Sequence, residues 1–256
     1  MKLALFKLAL AIIVLFITII CGFWPFLRKA HHLAGNVLTN FEFPVGESVA
    51  SGIFLGAGLL HMLPNAVLGF NKAGYGYPFP FLIAGISFLL LLLLEHISVS
   101  LRHCSTHLLS SIGLLTVTML SIHSLLEGTA VGLAASFATT LIIFIAIIAH
   151  KGAASFALSI NLNRTQLSLS NCVIAFSIFA LMTPAGIFGG DWLLATTQHN
   201  TLLTPIFSSL AAGTFVYLGT LHGLERASLI RHCCNVKEFF FMLVGFIVMA
   251  TLAIRT

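Results

Sequence analysis

Three side chains able to bind a transition metal stand inside apolar runs. His123 and Glu127 lie four residues apart in His123-Ser124-Leu125-Leu126-Glu127-Gly128, and His150 heads His150-Lys151 about a helix-length later. Ionisable residues at bilayer depth are expensive and mark an ion or substrate path. On a helix, positions i and i+4 share a face, so an imidazole nitrogen and a carboxylate can be offered to one ion. His150 from a neighbouring helix would be a third ligand. Such a set, with an exchangeable fourth position, suits a borderline divalent ion such as zinc, and an open position is what a site needs if it must release its ion. Ser124 could orient a ligand or bind water. Plainer readings stay open: His123 alone could be a core histidine bonded to helix backbone, and Lys151 could neutralise Glu127 as an ion pair. Pairing and metal binding can coexist, because a lysine beside the site puts fixed positive charge where a second cation would bind.

The elements that must position these groups are membrane helices. The chain has 256 residues, of which 59% are hydrophobic and 7% charged, and its mean hydropathy is +1.07. A hydrocarbon core about 30 Å thick needs roughly 20 apolar residues per helix. Apolar runs place eight spans at roughly 3 to 24, 45 to 70, 79 to 99, 107 to 135, 139 to 162, 167 to 190, 202 to 225 and 238 to 255. The fold class expected is therefore an all-α polytopic membrane protein, read as a single transmembrane domain over 1–256. The first run is too long for a signal peptide and lacks a small-residue cleavage site, so it reads as a retained helix. Spans four and five are joined by almost nothing around Phe137 to Thr140 and must form a hairpin that brings the two polar clusters together.

The net charge of +5 does not mark a nucleic-acid binder, because the Lys and Arg residues lie mostly at helix ends. Seven of them (Arg28, Lys29, Arg102, Arg164, Arg226, Arg231, Lys237) fall on one side, against Lys2, Lys7, Lys72 and Arg255 on the other. That bias puts both termini outside the cytoplasm. Five cysteines, Cys21, Cys104, Cys172, Cys233 and Cys234, have the spacing of neither a disulfide framework nor a zinc knuckle.

Residues 50 to 66 align with 211 to 227 at a constant offset of 161, with eight identities in seventeen positions that include Gly52/Gly213, Phe54/Phe215, Gly58/Gly219 and His61/His222. One segment is second from the start and the other second from the end, so they cross the bilayer in opposite directions. That is the mark of an inverted repeat, here spans 1–3 and 6–8 around the central 4–5 hairpin. His61 and His222 would then flank the central cluster from opposite sides as pathway candidates. Glu95 is a third, unless it snorkels to the interface. The connector histidines His31, His32, His103 and His107 could scavenge metal ions. Gly128/Gly132 and Gly52/Gly56 read as packing faces.

At His123-Ser-Leu-Leu-Glu127-Gly128 and His150-Lys151-Gly-Ala-Ala-Ser-Phe156, the sequence resembles the ZIP family of zinc and iron permeases, in the branch with HSxxEG in helix four and HK in helix five. Gly52-Ile-Phe-Leu, His61-Met-Leu-Pro64, Glu95 and Ala212-Gly213-Thr-Phe215-Val-Tyr217 resemble its helices two, three and seven. The resemblance implies a multi-pass cell-membrane protein of eight helices that moves divalent metal into the cytoplasm, with His123, Glu127 and His150 as metal ligands. It implies that Lys151 replaces an acidic residue of a second metal site. Ala154 stands where some relatives carry a glutamate ligand, and His222 where an acidic residue is expected.

The leading expectation is a transporter and not an enzyme. Its substrate would be Zn2+, with Fe2+, Mn2+ and Cd2+ as further candidates, and it would need no prosthetic group. Its partners would be the metal ions, the bilayer and, as one option, a second copy in a homodimer. The alternative is an intramembrane metal-dependent hydrolase with Glu127 as general base, which the lack of an HExxH weakens. A metal sensor without flux is a third reading.

Overall fold

The structure, a computed structural model, describes residues 2–34, 43–101, 109–163, 165, 167–196, 202–222 and 236–254. Among them the chain forms eight helices: α1 (Lys2–Ala34), α2 (Pro44–Lys72), α3 (Phe79–Leu101), α4 (Leu109–Leu133), α5 (Phe137–Asn163), α6 (Leu169–Thr196), α7 (Leu203–Tyr217) and α8 (Val236–Ala253). Seven of these are long and apolar enough to cross a bilayer. α4 spans 25 residues, which at 1.5 Å rise per residue is also sufficient length. The chain is a polytopic all-helical membrane protein, as the apolar runs predict.

Large apolar side chains such as Phe16, Leu89, Leu181 and Phe240 are exposed, while Ser124, Ser155, Ser159, Thr183 and Ser209 are buried. A solvent of lipid tails favours this arrangement, because interior hydroxyls find partners that hydrocarbon cannot offer. The main core gathers Phe54, Leu120, Leu158, Phe176, Phe179 and Phe215.

Several boundaries differ from the apolar-run reading, among them the end of α6, which reaches Thr196 where 190 was expected. α1 continues ten residues past the expected end at 24, through Pro25, to Ala34. Tertiary packing carries it: Phe26 is buried and meets the Phe176 ring edge-on at 5.6 Å. The α4–α5 turn lies at 134–136, slightly earlier than expected, and Ser136 immediately precedes α5. Its Oγ accepts from the Thr139 N–H at 3.2 Å, and its carbonyl accepts from the Thr140 N–H at 3.0 Å. Serine at this position satisfies N–H groups that have no partner in the first helical turn.

The helices pair as α1 with α5, α4 with α6, α2 with α8 and α3 with α7. Exchanging 1 with 6, 2 with 7, 3 with 8 and 4 with 5 maps this set of pairs onto itself, the behaviour expected of the inverted repeat. The backbone follows the same exchange. α2 opens into a π turn at Ala57–Met62, and α7 continues into one at Leu218–His222, both starting at the aligned position. In α2, Pro64 follows the π turn and has no N–H to give the helical ladder. A β-carbon on Gly58 would stand 3.1 Å from the Ala212 carbonyl oxygen and 3.1 Å from Val216. One on Gly219 would stand 2.9 Å from the Ser51 carbonyl oxygen and 2.8 Å from the Leu55 nitrogen. Ser51 and Leu55 are the repeat partners of Ala212 and Val216, so α2 and α7 touch through equivalent surfaces.

α4 and α6 approach backbone to backbone, Gly128 and Gly132 facing Gly186 and Gly190. A β-carbon on Gly186 would stand 2.8 Å from the Thr129 nitrogen and 2.9 Å from Gly128 Cα, whereas around Gly189 nothing lies within 4 Å. Gly186→Leu is therefore expected to destabilise the fold by about 3 kcal/mol, the upper part of the usual overpacking range, and Gly189→Leu to change it little. Thermal unfolding of the detergent-solubilised protein separates the two.

Lys7 is a loop charge in the orientation count, but the structure places it in the core, 2% exposed. Its Nζ donates to Asp191 Oδ1 of α6 and to the Gly132 carbonyl of α4, each at 2.6 Å. An ammonium at the carbonyl end of α4 also meets the negative end of that helix. Once Lys7 is set aside the bias becomes seven basic residues against three, Lys2, Lys72 and Arg255.

Candidate metal centre

α4 and α5 lie side by side after their short turn, and this brings His123, Glu127 and His150 together. One donor atom from each lies within 4.8 Å of the others, and all three side chains are buried. His150 Nε2 pairs with Glu127 Oε1, and His123 Nε2 lies 2.8 Å from the same oxygen. The His123 ring is not aligned to donate: neither of its nitrogens has a hydrogen-bond partner, nor do His150 Nδ1 and Glu127 Oε2. Buried polar atoms are nearly always satisfied, and four unsatisfied ones around one carboxylate are costly without a cation to share. The backbone-bonded histidine that sequence left open for His123 is not what the structure holds. The donor set of two imidazoles and a carboxylate fits a zinc-like ion, whose ligands sit about 2.0 Å from the metal.

Lys151 points elsewhere. It is buried, and its Nζ donates to Ser124 Oγ at 2.7 Å and to Thr183 Oγ1 of α6 at 2.8 Å, 4.4 Å from the centre of the Phe179 ring. Among the described ion pairs Glu127 is matched with the two histidines and not with Lys151. Ser124 thus serves as an acceptor for the lysine. Thr183 enters this network from a helix that sequence reading did not connect to the site.

Phe215 of α7 covers the cluster. Its ring centre lies 4.0 Å from that of His123 and 4.9 Å from that of His150, and it is fully buried. Sequence reading noted Phe215 as an aligned repeat position and within the stretch resembling helix seven, without connecting it to the cluster.

His61 and Glu95 are not among the three clustered donors. His61, in the π turn of α2, accepts from Asn65 Nδ2 at 3.4 Å. Glu95, near the end of α3, accepts from the Tyr217 hydroxyl at 2.5 Å, which ties α3 to α7. His222 closes the π turn of α7, and its side chain lies outside the described residues. The side chains of His31 and His32, and the whole of His103 and His107, also lie outside them.

A family model described as ZIP Zinc transporter matches residues 4–107 and 102–253. Zinc transporter ZIP1 of Danio rerio is 28% identical over 289 residues, covering 93% of this chain and 94% of that protein. Zinc transporter ZIP2 of Mus musculus is 27% identical, covering 92% of this chain and 96% of that protein. Protein zntD of Dictyostelium discoideum is 34% identical over a shorter stretch, 54% of this chain and 21% of that protein. With the family match running from residue 4 to residue 253, the chain belongs to the ZIP zinc transporter family.

Proposed function

We propose that the chain, as one domain over 1–256, carries divalent metal, zinc foremost, across the cell membrane into the cytoplasm, with His123, Glu127 and His150 as the ligands of the carried ion. The observation that carries this reading is the buried convergence of the three donors with unsatisfied atoms around one carboxylate. An acid and two bases sunk among helices demand a cation to share them, and three protein ligands with a fourth position taken by water would leave the ion able to depart. Fe2+, Mn2+ and Cd2+ suit the same donors. His61, Glu95 and His222 serve as approach and exit groups, both termini face away from the cytoplasm, and a homodimer is compatible with this reading. The approach of both imidazoles to Glu127 Oε1 supports a ligand role over the free base that the hydrolase reading needs. Zinc uptake into proteoliposomes tests the proposal: accumulation of the ion against empty liposomes supports it, and stoichiometric binding without uptake leaves the sensor reading instead.

Lys151 restricts the site to one ion. Its ammonium occupies the space between Ser124 and Thr183, so a cation there would meet a like charge. Lys151→Glu is expected to raise the bound metal from one to two per chain, as measured by metal quantitation of the purified protein at saturating zinc. A ratio that stays at one counts against the charge-substitution role.

A further inference from the structure

Several contacts around α2 and α7 come in repeat-related pairs, whereas the two aligned phenylalanines differ at the metal centre. Gly58 rests on Ala212 and Val216, and Gly219 on their repeat partners Ser51 and Leu55. Ser87 of α3 donates to the Leu210 carbonyl of α7 at 2.9 Å, and Gly245 of α8 abuts the Val49 carbonyl, Val49 being the repeat partner of Leu210. Phe54 and Phe215 are repeat partners too, and their rings meet at 5.2 Å. Yet Phe215 lies on both imidazoles, while the ring contact of Phe54 among the described residues is with Phe215.

We propose that Phe54 and Phe215 are exchangeable covers of the metal ligands: Phe215 closes the site in the state described, and Phe54 closes it in the opposite-facing state. This rests on the transport reading, since only a site that opens to both sides needs two covers. A ring 4.0 Å from His123 excludes water and ion from that side of the imidazole. Release toward that side requires the ring to leave. When two halves of a fold have nearly equivalent packing, exchanging their conformations gives a second state of similar energy that uses the same contacts. In that exchange α4 and α5 trade places, and so do their two histidines. The asymmetry at Phe215 is then the signature of which state is present, and Phe54 is a positioning residue held in reserve.

The test places a thiol beside the ligands as Ala154→Cys, one helical turn from His150 in the buried core, and reads its modification by a membrane-impermeant methanethiosulfonate. Residue-resolved mass spectrometry distinguishes this thiol from the native cysteines in vesicles of each orientation. Phe215→Leu is expected to raise modification about tenfold from one face of the membrane, and Phe54→Leu by a similar factor from the opposite face. Leucine keeps the positions apolar, and the alanine versions repeat the measurement with larger gaps. Increases from the same face for both variants, or an effect of Phe215 without one of Phe54, would overturn the exchange. A purely structural role would open both faces together in either variant and is excluded by the one-sided result. Modification is read without zinc flux, so failure of uptake counts against transport alone and failure of sidedness against the covers alone.

Discussion

Glu127→Ala is expected to lower zinc uptake on the order of 100-fold at subsaturating zinc, with the folded protein retained. Glu127 is the only carboxylate of the three-residue cluster, and its Oε1 is the atom that both imidazoles approach. Without it, two neutral imidazoles face a dication in a low-dielectric interior, where charge neutralisation by the carboxylate is the largest favourable contribution. A charge-assisted contact contributes about 1.5–3 kcal/mol, and Glu127 would supply the one such contact to the ion. Loss of about 3 kcal/mol corresponds to roughly 100-fold in affinity. Glu127→Gln separates charge from shape: it keeps the size and one acceptor oxygen but not the charge, and is expected to recover little of the uptake. Radioactive zinc uptake into proteoliposomes, with thermal stability measured alongside, provides the check. Near-normal uptake in Glu127→Gln would mean that the carboxylate is not a ligand.

The three clustered donors were legible in sequence because histidine and glutamate are rare and costly in apolar helices, so their type and i, i+4 spacing carry most of the information. The hairpin was legible because so short a connector leaves no alternative to adjacent antiparallel helices. The repeat was legible because close packing preserved glycine at Gly58 and Gly219, where a side chain would strike backbone. Other features were out of reach for physical reasons. Phe215 is one of 23 phenylalanines, and apolar residues carry no mark of which neighbour they will cover. The Lys7–Asp191 pair joins residues 184 positions apart, and only the packing of α1 against α6 explains how a lysine in the first helix can be buried. Lys151 was readable as a charge at the site, but its partners Ser124 and Thr183 depend on the crossing of three helices. α1 outran its apolar run because Phe26 and Phe176 pack together, a tertiary contact that overrides the break suggested by Pro25.

His150→Ala is expected to reduce zinc uptake at least tenfold, and His61→Ala about two- to threefold. The difference follows from where each imidazole stands. His150 is 1% exposed and pairs directly with Glu127; its removal takes away one of the three proposed ligands and leaves the carboxylate with a single imidazole. Loss of one charge-assisted contact of about 1.5 kcal/mol already gives a tenfold effect, and the cavity left in a close-packed core adds to it. His61 has no part in the three-donor cluster and is held by Asn65, one turn along its own helix. As an approach group it changes how often an ion arrives, not how tightly it is held, so His61→Ala should lower uptake at low zinc and recover as zinc is raised. His150→Ala should stay impaired at every concentration that leaves the vesicles intact, because chelation itself is damaged. Concentration series for both variants in one proteoliposome preparation separate the roles, and parallel losses in the two would place His61 among the ligands.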